Sequence, residues 1–204
     1  MRDSIAGVTD VASDPKLAFP VVAIGMSAGG ILPLTQLFSR LKPTTGMAFV
    51  VIHHLRKAPT LLPEILSKKT MMPIEIVSPG MLIRPNHVYV LRSGMELTTL
   101  DGSFEVRRRS KVTGFTNVFT LFLNSLSNSE HPGIAVFLSG VDKDGAAALK
   151  GFREKGGLTI AQPPQSAQQP EMPMAALDTG YVDHILSPES IAEELEQIAK
   201  RHEA

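Results

Sequence analysis

The feature that most limits how this chain can fold is the run at 21–30, Val-Val-Ala-Ile-Gly-Met-Ser-Ala-Gly-Gly. An unbroken apolar stretch passes directly into small residues around a single serine. Continuous apolar runs bounded by turn residues are the pattern of strands covered on both faces, so a sheet between two layers is expected. Gly25-Met26-Ser27-Ala28-Gly29 then falls between that strand and a following helix and fits G-x-S-x-G, a turn whose small residues lift a serine hydroxyl clear of the backbone.

The rest of the chain repeats the theme. Residues 20–24, 47–52, 73–77, 134–138, 158–161 and 181–185 read as strands. Helical spacing appears in Ile31, Leu34, Leu37, Phe38 and Leu41, with Pro33 tolerated in the first turn. A helix at 60–69, with Thr60 as its cap, buries Leu61, Leu62, Ile65 and Leu66. Another carries Phe115, Val118, Phe119, Phe122 and Leu126 on one face, and an alanine-rich helix ends at Gly156-Gly157. A short helix is expected at 174–179 and a final helix, capped by Ser187 before Pro188, from 188 with Ile191, Leu195 and Ile198 inward. Residues 87–91 read as a strand, and 95–100 and 104–107 flank Asp101-Gly102, a type I′ hairpin signal. The expected fold is α/β, a doubly wound, mostly parallel sheet with an antiparallel hairpin at one edge. Residues 1–19 read as a flexible tail and 20–204 as one domain.

Composition narrows the chemistry. At 204 residues, 43% hydrophobic, the chain can form one sizeable core. Its formal net charge of zero leaves no overall basic footprint for nucleic acid. The absence of cysteine excludes disulfides, thiolate metal sites and a thiol nucleophile, so covalent chemistry falls to a hydroxyl, a lysine or a carboxylate. No apolar run is long enough to span a bilayer and no secretory signal opens the chain, so a cytoplasmic protein without membrane insertion is expected. No metal or cofactor is implied.

Functional groups of parallel sheets collect where loops leave the carboxyl ends of strands. Three such loops hold Ser27, His53-His54 and Asp142/Asp144. Ser27 is a candidate nucleophile, with the Ala28 N–H at a helix start offered to an oxyanion; a plain helix cap or a phosphate loop are its rivals. A dinucleotide site would want an acid at the end of the second strand, where this chain has histidine. His54 leaves that strand beside the serine turn as a candidate base, and of the two adjacent histidines only one can face the serine. Asp144 could orient the imidazole or cap the alanine-rich helix after it. His87, His131, His184 and His202 are read as structural, Arg107-Arg108-Arg109 as a solvated hairpin edge, and Met172-Pro173-Met174 as core packing.

Ile24-Gly25-Met26-Ser27-Ala28-Gly29-Gly30, Val51-Ile52-His53-His54, Pro85-Asn86-His87-Val88-Tyr89-Val90, Leu138-Ser139-Gly140 with Asp144-Gly145, and Met172-Pro173 before Gly180-Tyr181-Val182-Asp183 resemble, in order, the catalytic domain of the chemotaxis protein-glutamate methylesterases, the CheB family. Residues 46–55 look most like the version fused to receptor methyltransferases. The resemblance implies a serine esterase acting on glutamate γ-methyl esters of chemoreceptors, with glutamine deamidation as a further activity. It implies Ser27 as nucleophile, His54 as base and Asp144 as orienter, with the N–H groups of Ala28 and Val141 as the oxyanion hole. Methylated chemoreceptors and a receptor methyltransferase are the implied partners. The chain departs from the family at Gly140-Val141-Asp142, where Gly-Met-Gly is usual. Asp142 is expected to accept a left-handed backbone and to raise the pKa of His54. The chain also lacks the usual pattern over 110–120 and carries His53 in place of glutamine. No receiver domain is read ahead of the esterase, so control is expected from elsewhere, or the domain is a separated or constitutive one. A non-catalytic signalling module of the same fold is the alternative, and a nucleotide-binding domain a third.

Overall fold

The computed structural model describes residues 19–53, 61–109 and 117–203. The tail at 1–18, the proposed cap Thr60, Phe115 and His54 lie outside the described residues. The elements run β1 (Val21–Met26), α1 (Ile31–Phe38), β2 (Ala48–His53), α2 (Leu62–Leu66), β3 (Ile74–Ile76), β4 (His87–Val90), β5 (Met95–Leu100) and β6 (Ser103–Arg108). They continue with α3 (Val118–Leu126), β7 (Gly133–Phe137), a 3-10 turn (Ala146–Ala148), α4 (Leu149–Glu154) and β8 (Leu158–Ala161). After a second 3-10 turn (Pro164–Ser166) come α5 (Glu171–Leu177), β9 (His184–Ile185) and α6 (Pro188–Glu203).

Seven strands form one parallel sheet in the order β3-β4-β2-β1-β7-β8-β9. β1 and β2 lie at its centre and are buried throughout, as their unbroken apolar sequences require. Alternate residues feed two cores. Val22, Ile24 and Met26 pack with Leu34, Leu37 and Phe38 of α1 and with Ile191 and Leu195 of α6. Val21 and Ala23 face the other layer, where Phe119 and Phe122 of α3 meet Phe137 and Phe152. Helices on both faces make the sheet doubly wound, as expected from sequence. The order of connection reverses between β1 and β7, because β2 and β4 lie to one side of β1 while β7, β8 and β9 lie to the other.

Several boundaries differ from the sequence expectation, each for a physical reason. β3 pairs with β4 and not with β2, and its partly exposed residues suit an edge strand. β4 is a parallel, largely buried member of the main sheet. The hairpin β5–β6 turns through Asp101 (φ 48°) and Gly102 (φ 71°), both left-handed as a type I′ turn demands. It forms a sheet of its own. Leu97 and Phe104 are buried in the α3-side core, and backbone hydrogen bonds tie the hairpin to residues 80–83 between β3 and β4. α2 is short, so Leu62 and Leu66 are its buried pair while Leu61 is 60% exposed. β9 is two residues long, and Asp183 just before it is tied to β8: its N–H donates to the Thr159 carbonyl (2.9 Å), its carboxylate accepts the Thr159 N–H (2.9 Å) and hydroxyl (2.8 Å), and the same hydroxyl approaches the Tyr181 carbonyl at 2.6 Å. α5 begins at Glu171, earlier than the spacing predicts, with Pro173 inside its first turn. The Ser187 cap is present, its hydroxyl accepting the Ser190 N–H at 3.2 Å.

The buried Tyr89 of β4 accepts the Arg84 N–H (2.9 Å) and donates to the Leu82 carbonyl (3.2 Å), pinning the segment before β4. Burial pushes its phenol pKa above the ordinary value of 10.0. In the unfolded chain this phenol ionises first. The stability it contributes is therefore complete below pH ~10 and is lost as pH climbs from there towards the folded-state value. Tyr89→Phe should cost about 1–2 kcal/mol at neutral pH through the lost hydrogen bonds, and should flatten the alkaline decline. Urea titrations of both proteins at neutral pH and at pH ~10–11 measure both effects.

Candidate active site

β1 delivers Ser27 to the carboxyl end of the sheet, at the point between β1 and β7 where the connections reverse and a parallel sheet opens a crevice. The turn is closed by the Gly30 N–H bonding the Ser27 carbonyl (3.1 Å). Gly29 turns through φ 75°, and a β-carbon there would lie 2.6 Å from the Ser139 hydroxyl. A β-carbon on Gly30 would lie 2.7 Å from that of Met26. The small residues around the serine are thus sterically required. Ser27 itself is 5% exposed.

The loop after β7 is tied to this turn. The Ser27 N–H donates to the Ser139 carbonyl (3.0 Å), and the Ser139 hydroxyl donates to the Ala28 carbonyl (2.9 Å). Gly140 passes so close that a β-carbon on it would lie 3.1 Å from the Ser27 β-carbon. On its far side the loop is held by residues 162–172. The Ser139 N–H donates to Gln162 Oε1 (3.0 Å), the Gly140 N–H to the Gln169 carbonyl (3.0 Å), and the Met172 N–H to the Gly140 carbonyl (2.9 Å). The amides of Ser139 and Gly140 are therefore spent on structure, and Val141, whose side chain is 54% exposed, follows them in the loop.

Asp144 is 5% exposed and does not cap the helical turn after it. Its carboxylate crosses to the start of α3, where Oδ2 accepts the Phe119 N–H (2.8 Å) and Oδ1 accepts both the Thr120 N–H (2.9 Å) and hydroxyl (2.8 Å). Asn117, the residue before α3, provides no side-chain cap, so Asp144 supplies it from another part of the chain. The Thr120 hydroxyl in turn accepts the Gly145 N–H (2.9 Å). Asp142 turns its carboxylate back on the loop, Oδ1 accepting the Asp144 N–H (3.0 Å). The left-handed residue of this loop is Gly145 (φ 95°), not Asp142 as the sequence suggested. Phe119 joins the two loops: its ring fills the space beside both Gly25 and Gly145, where a β-carbon would come within 2.4 Å of it.

Of the residues singled out from sequence, Ser27, Ala28 and Val141 lie on the two loops flanking the β1–β7 crevice, and Asp144 is fixed nearby through α3. His53 ends β2 directly beside Met26, and is 6% exposed; His54 lies outside the described residues. Met172 is fully buried against Gly25 and Gly140 and Pro173 is buried beside it, as core packing predicts, but Met174 is 46% exposed on the outer side of α5 and is not part of the core. His87 and His131 are held by the carbonyls of Pro85 (2.9 Å) and Phe19 (3.1 Å). Sequence reasoning missed Thr120, Ser139 and Gln162, whose polarity among apolar neighbours was the available signal.

Residues 22–195 match the family described as CheB methylesterase. The chain belongs to this family. It is 32% identical over 186 residues to protein-glutamate methylesterase/protein-glutamine glutaminase 4 of Burkholderia thailandensis, a match covering 90% of this chain and 54% of that protein. It is 31% identical over 189 residues to protein-glutamate methylesterase/protein-glutamine glutaminase 3 of Pseudomonas aeruginosa, covering 87% and 54%. The chain thus spans about half the length of these curated relatives. The crystal structure of the Thermotoga maritima CheB methylesterase catalytic domain superposes with a TM-score of 0.78 at 24% identity, covering 87% of this chain and 97% of that one. The α/β fold is shared across the whole of that domain. Among the described residues no helix is long and apolar enough to cross a membrane.

The Asp144 geometry carries a testable consequence. Asp144→Ala should lower stability by about 2–3 kcal/mol, because it removes charge-assisted bonds to two amides and a hydroxyl at the start of α3. Thr120→Val should cost about 1 kcal/mol by removing one of them. Chemical denaturation of both variants checks the order.

Proposed function

We propose that the chain is a serine esterase of the protein-glutamate methylesterase type, hydrolysing glutamate γ-methyl esters on chemoreceptor proteins. The observation that carries this is the Ser27 turn at the β1–β7 crevice, buttressed by the loop that leads to Asp144, in a chain of the CheB methylesterase family. The proposed roles are Ser27 as nucleophile, His54 as general base and Asp144 as the carboxylate that orients the imidazole. A carboxylate has about four acceptor positions, and the three bonds from α3 leave capacity for an imidazole N–H.

The reaction follows from these roles. Ser27 Oγ attacks the ester carbonyl while His54 takes its proton, and the N–H groups of Ala28 and Val141 stabilise the resulting oxyanion. The tetrahedral species collapses with cleavage of the C–O bond, and methanol leaves with the proton returned from His54. Water, deprotonated by His54, then attacks the acyl-enzyme and releases the glutamate carboxylate and the serine hydroxyl. With a glutamine amide the same steps would release ammonia, which makes deamidation the second proposed activity. The proposed setting is the cytoplasm, with receptor methyltransferase as a partner; the likeness of residues 46–55 to methyltransferase-fused members supports that pairing.

Wild-type protein should release methanol from methylated receptor and should label with a fluorophosphonate. Ser27→Ala should abolish both, and His54→Ala should reduce both by about 10³-fold or more. A wild-type chain that labels with no fluorophosphonate and releases no methanol from several receptors would instead be a binding module that keeps the fold.

A further inference from the structure

We infer that Ser139 is a positioning residue that holds the nucleophile turn in its reactive shape, an assignment that rests on Ser27 being the nucleophile. Ser139 is fully buried, yet every polar group it carries is engaged, and each bond joins one of two otherwise separate segments. Towards the turn, its carbonyl accepts the Ser27 N–H (3.0 Å) and its hydroxyl donates to the Ala28 carbonyl (2.9 Å). Towards residues 162–172, its N–H donates to Gln162 Oε1 (3.0 Å), and its hydroxyl oxygen accepts the Gln169 N–H (2.9 Å). Gln162, itself buried, is anchored by its own amide to the Ser166 carbonyl (3.1 Å) and hydroxyl (3.2 Å).

The hydroxyl is the only one of these groups that a side-chain change can remove, and it sits at the decisive place. It accepts from one segment and donates to the other, with the Gln169 carbonyl 3.3 Å away as a second acceptor, and so adds a side-chain link between turn and loop to the links made by the Ser139 main chain. The Ala28 carbonyl it holds belongs to the residue whose N–H is proposed to serve the oxyanion, and it directly precedes Gly29, whose φ is left-handed. With that bond gone, the turn can rotate about Ala28, and both the Ser27 hydroxyl and the Ala28 N–H shift together. Displacements of an ångström at reacting groups cost large factors in rate while leaving the binding of substrate by other surfaces intact.

The test compares Ser139→Ala and Ser139→Cys with Ser139→Thr and with Asp183→Asn. The cysteine variant fills the same space with a weak hydrogen-bond donor and guards against misfolding of the alanine variant. Asp183→Asn weakens the β8–β9 clasp, far from the serine turn, and controls for stability lost without repositioning. The readouts are kcat and KM for 4-nitrophenyl acetate, the rate of fluorophosphonate labelling, and the urea midpoint. Ser139→Ala and Ser139→Cys should lose about tenfold in kcat and labelling rate with KM within about twofold, Ser139→Thr should stay within about threefold of wild type, and Asp183→Asn should keep its rate despite a lower midpoint. If the alanine and cysteine variants react as fast as Asp183→Asn, Ser139 is structural only and the assignment falls. If the wild-type chain reacts with neither probe, the Ser27 reading falls, and this one with it.

Discussion

The site depends on how closely backbone can approach backbone where β1 and β7 end. Adjacent parallel strands deliver their loops side by side, and no side chain of ordinary size fits between them. Gly25, Gly140 and Gly145 stand where the ring of Phe119, the ring of Phe137, the Met172 side chain and the Ser27 β-carbon take up the space. Phe119 has two jobs here. Its ring separates the end of β1 from the loop after β7, and its N–H is one of the donors that hold Asp144. The positions of Ser27 and Asp144 are thus both referenced to one residue at the start of α3.

A buried carboxylate is costly unless its charge is compensated, and at Asp144 the compensation comes from a helix start. Two amides of the first turn and the Thr120 hydroxyl donate to it. Capping is therefore compatible with the proposed orienting role. The two amides and the hydroxyl fix the carboxylate in place, and the proposed role needs a fixed carboxylate.

Much of this was legible in the sequence where a local pattern decides the outcome. The continuous apolar runs at 21–24 and 48–52 became central strands, Asp101-Gly102 became a left-handed hairpin turn, and Ser187 before Pro188 became a helix cap. What stayed hidden was non-local. Strand order placed β4 inside β3, and nothing within either segment encodes that pairing. Asp144 was correctly suspected of capping, but of the wrong helix, because its partner is 25 residues away in sequence. Gln162 stood in no motif, and Ser139 stood in Leu138-Ser139-Gly140 with no role attached to its hydroxyl. Their role follows from a buried polar group needing partners, and this becomes visible only when the segments that supply those partners are brought together.

The register of β1 with β2 fixes which face of the sheet His53 lies on. Side-by-side residues of parallel strands point to the same face, and Met26 lies beside His53. Met26 is packed in the α1 and α6 layer, whereas Gly25 and its neighbour Ile52 face the α3 layer that binds Asp144. His53 therefore shares the face turned away from the carboxylate. The proposed mechanism asks one imidazole to meet both Ser27 and Asp144, and the face on which His53 lies does not suit that role, which favours the proposal of His54 as base over the histidine at 53.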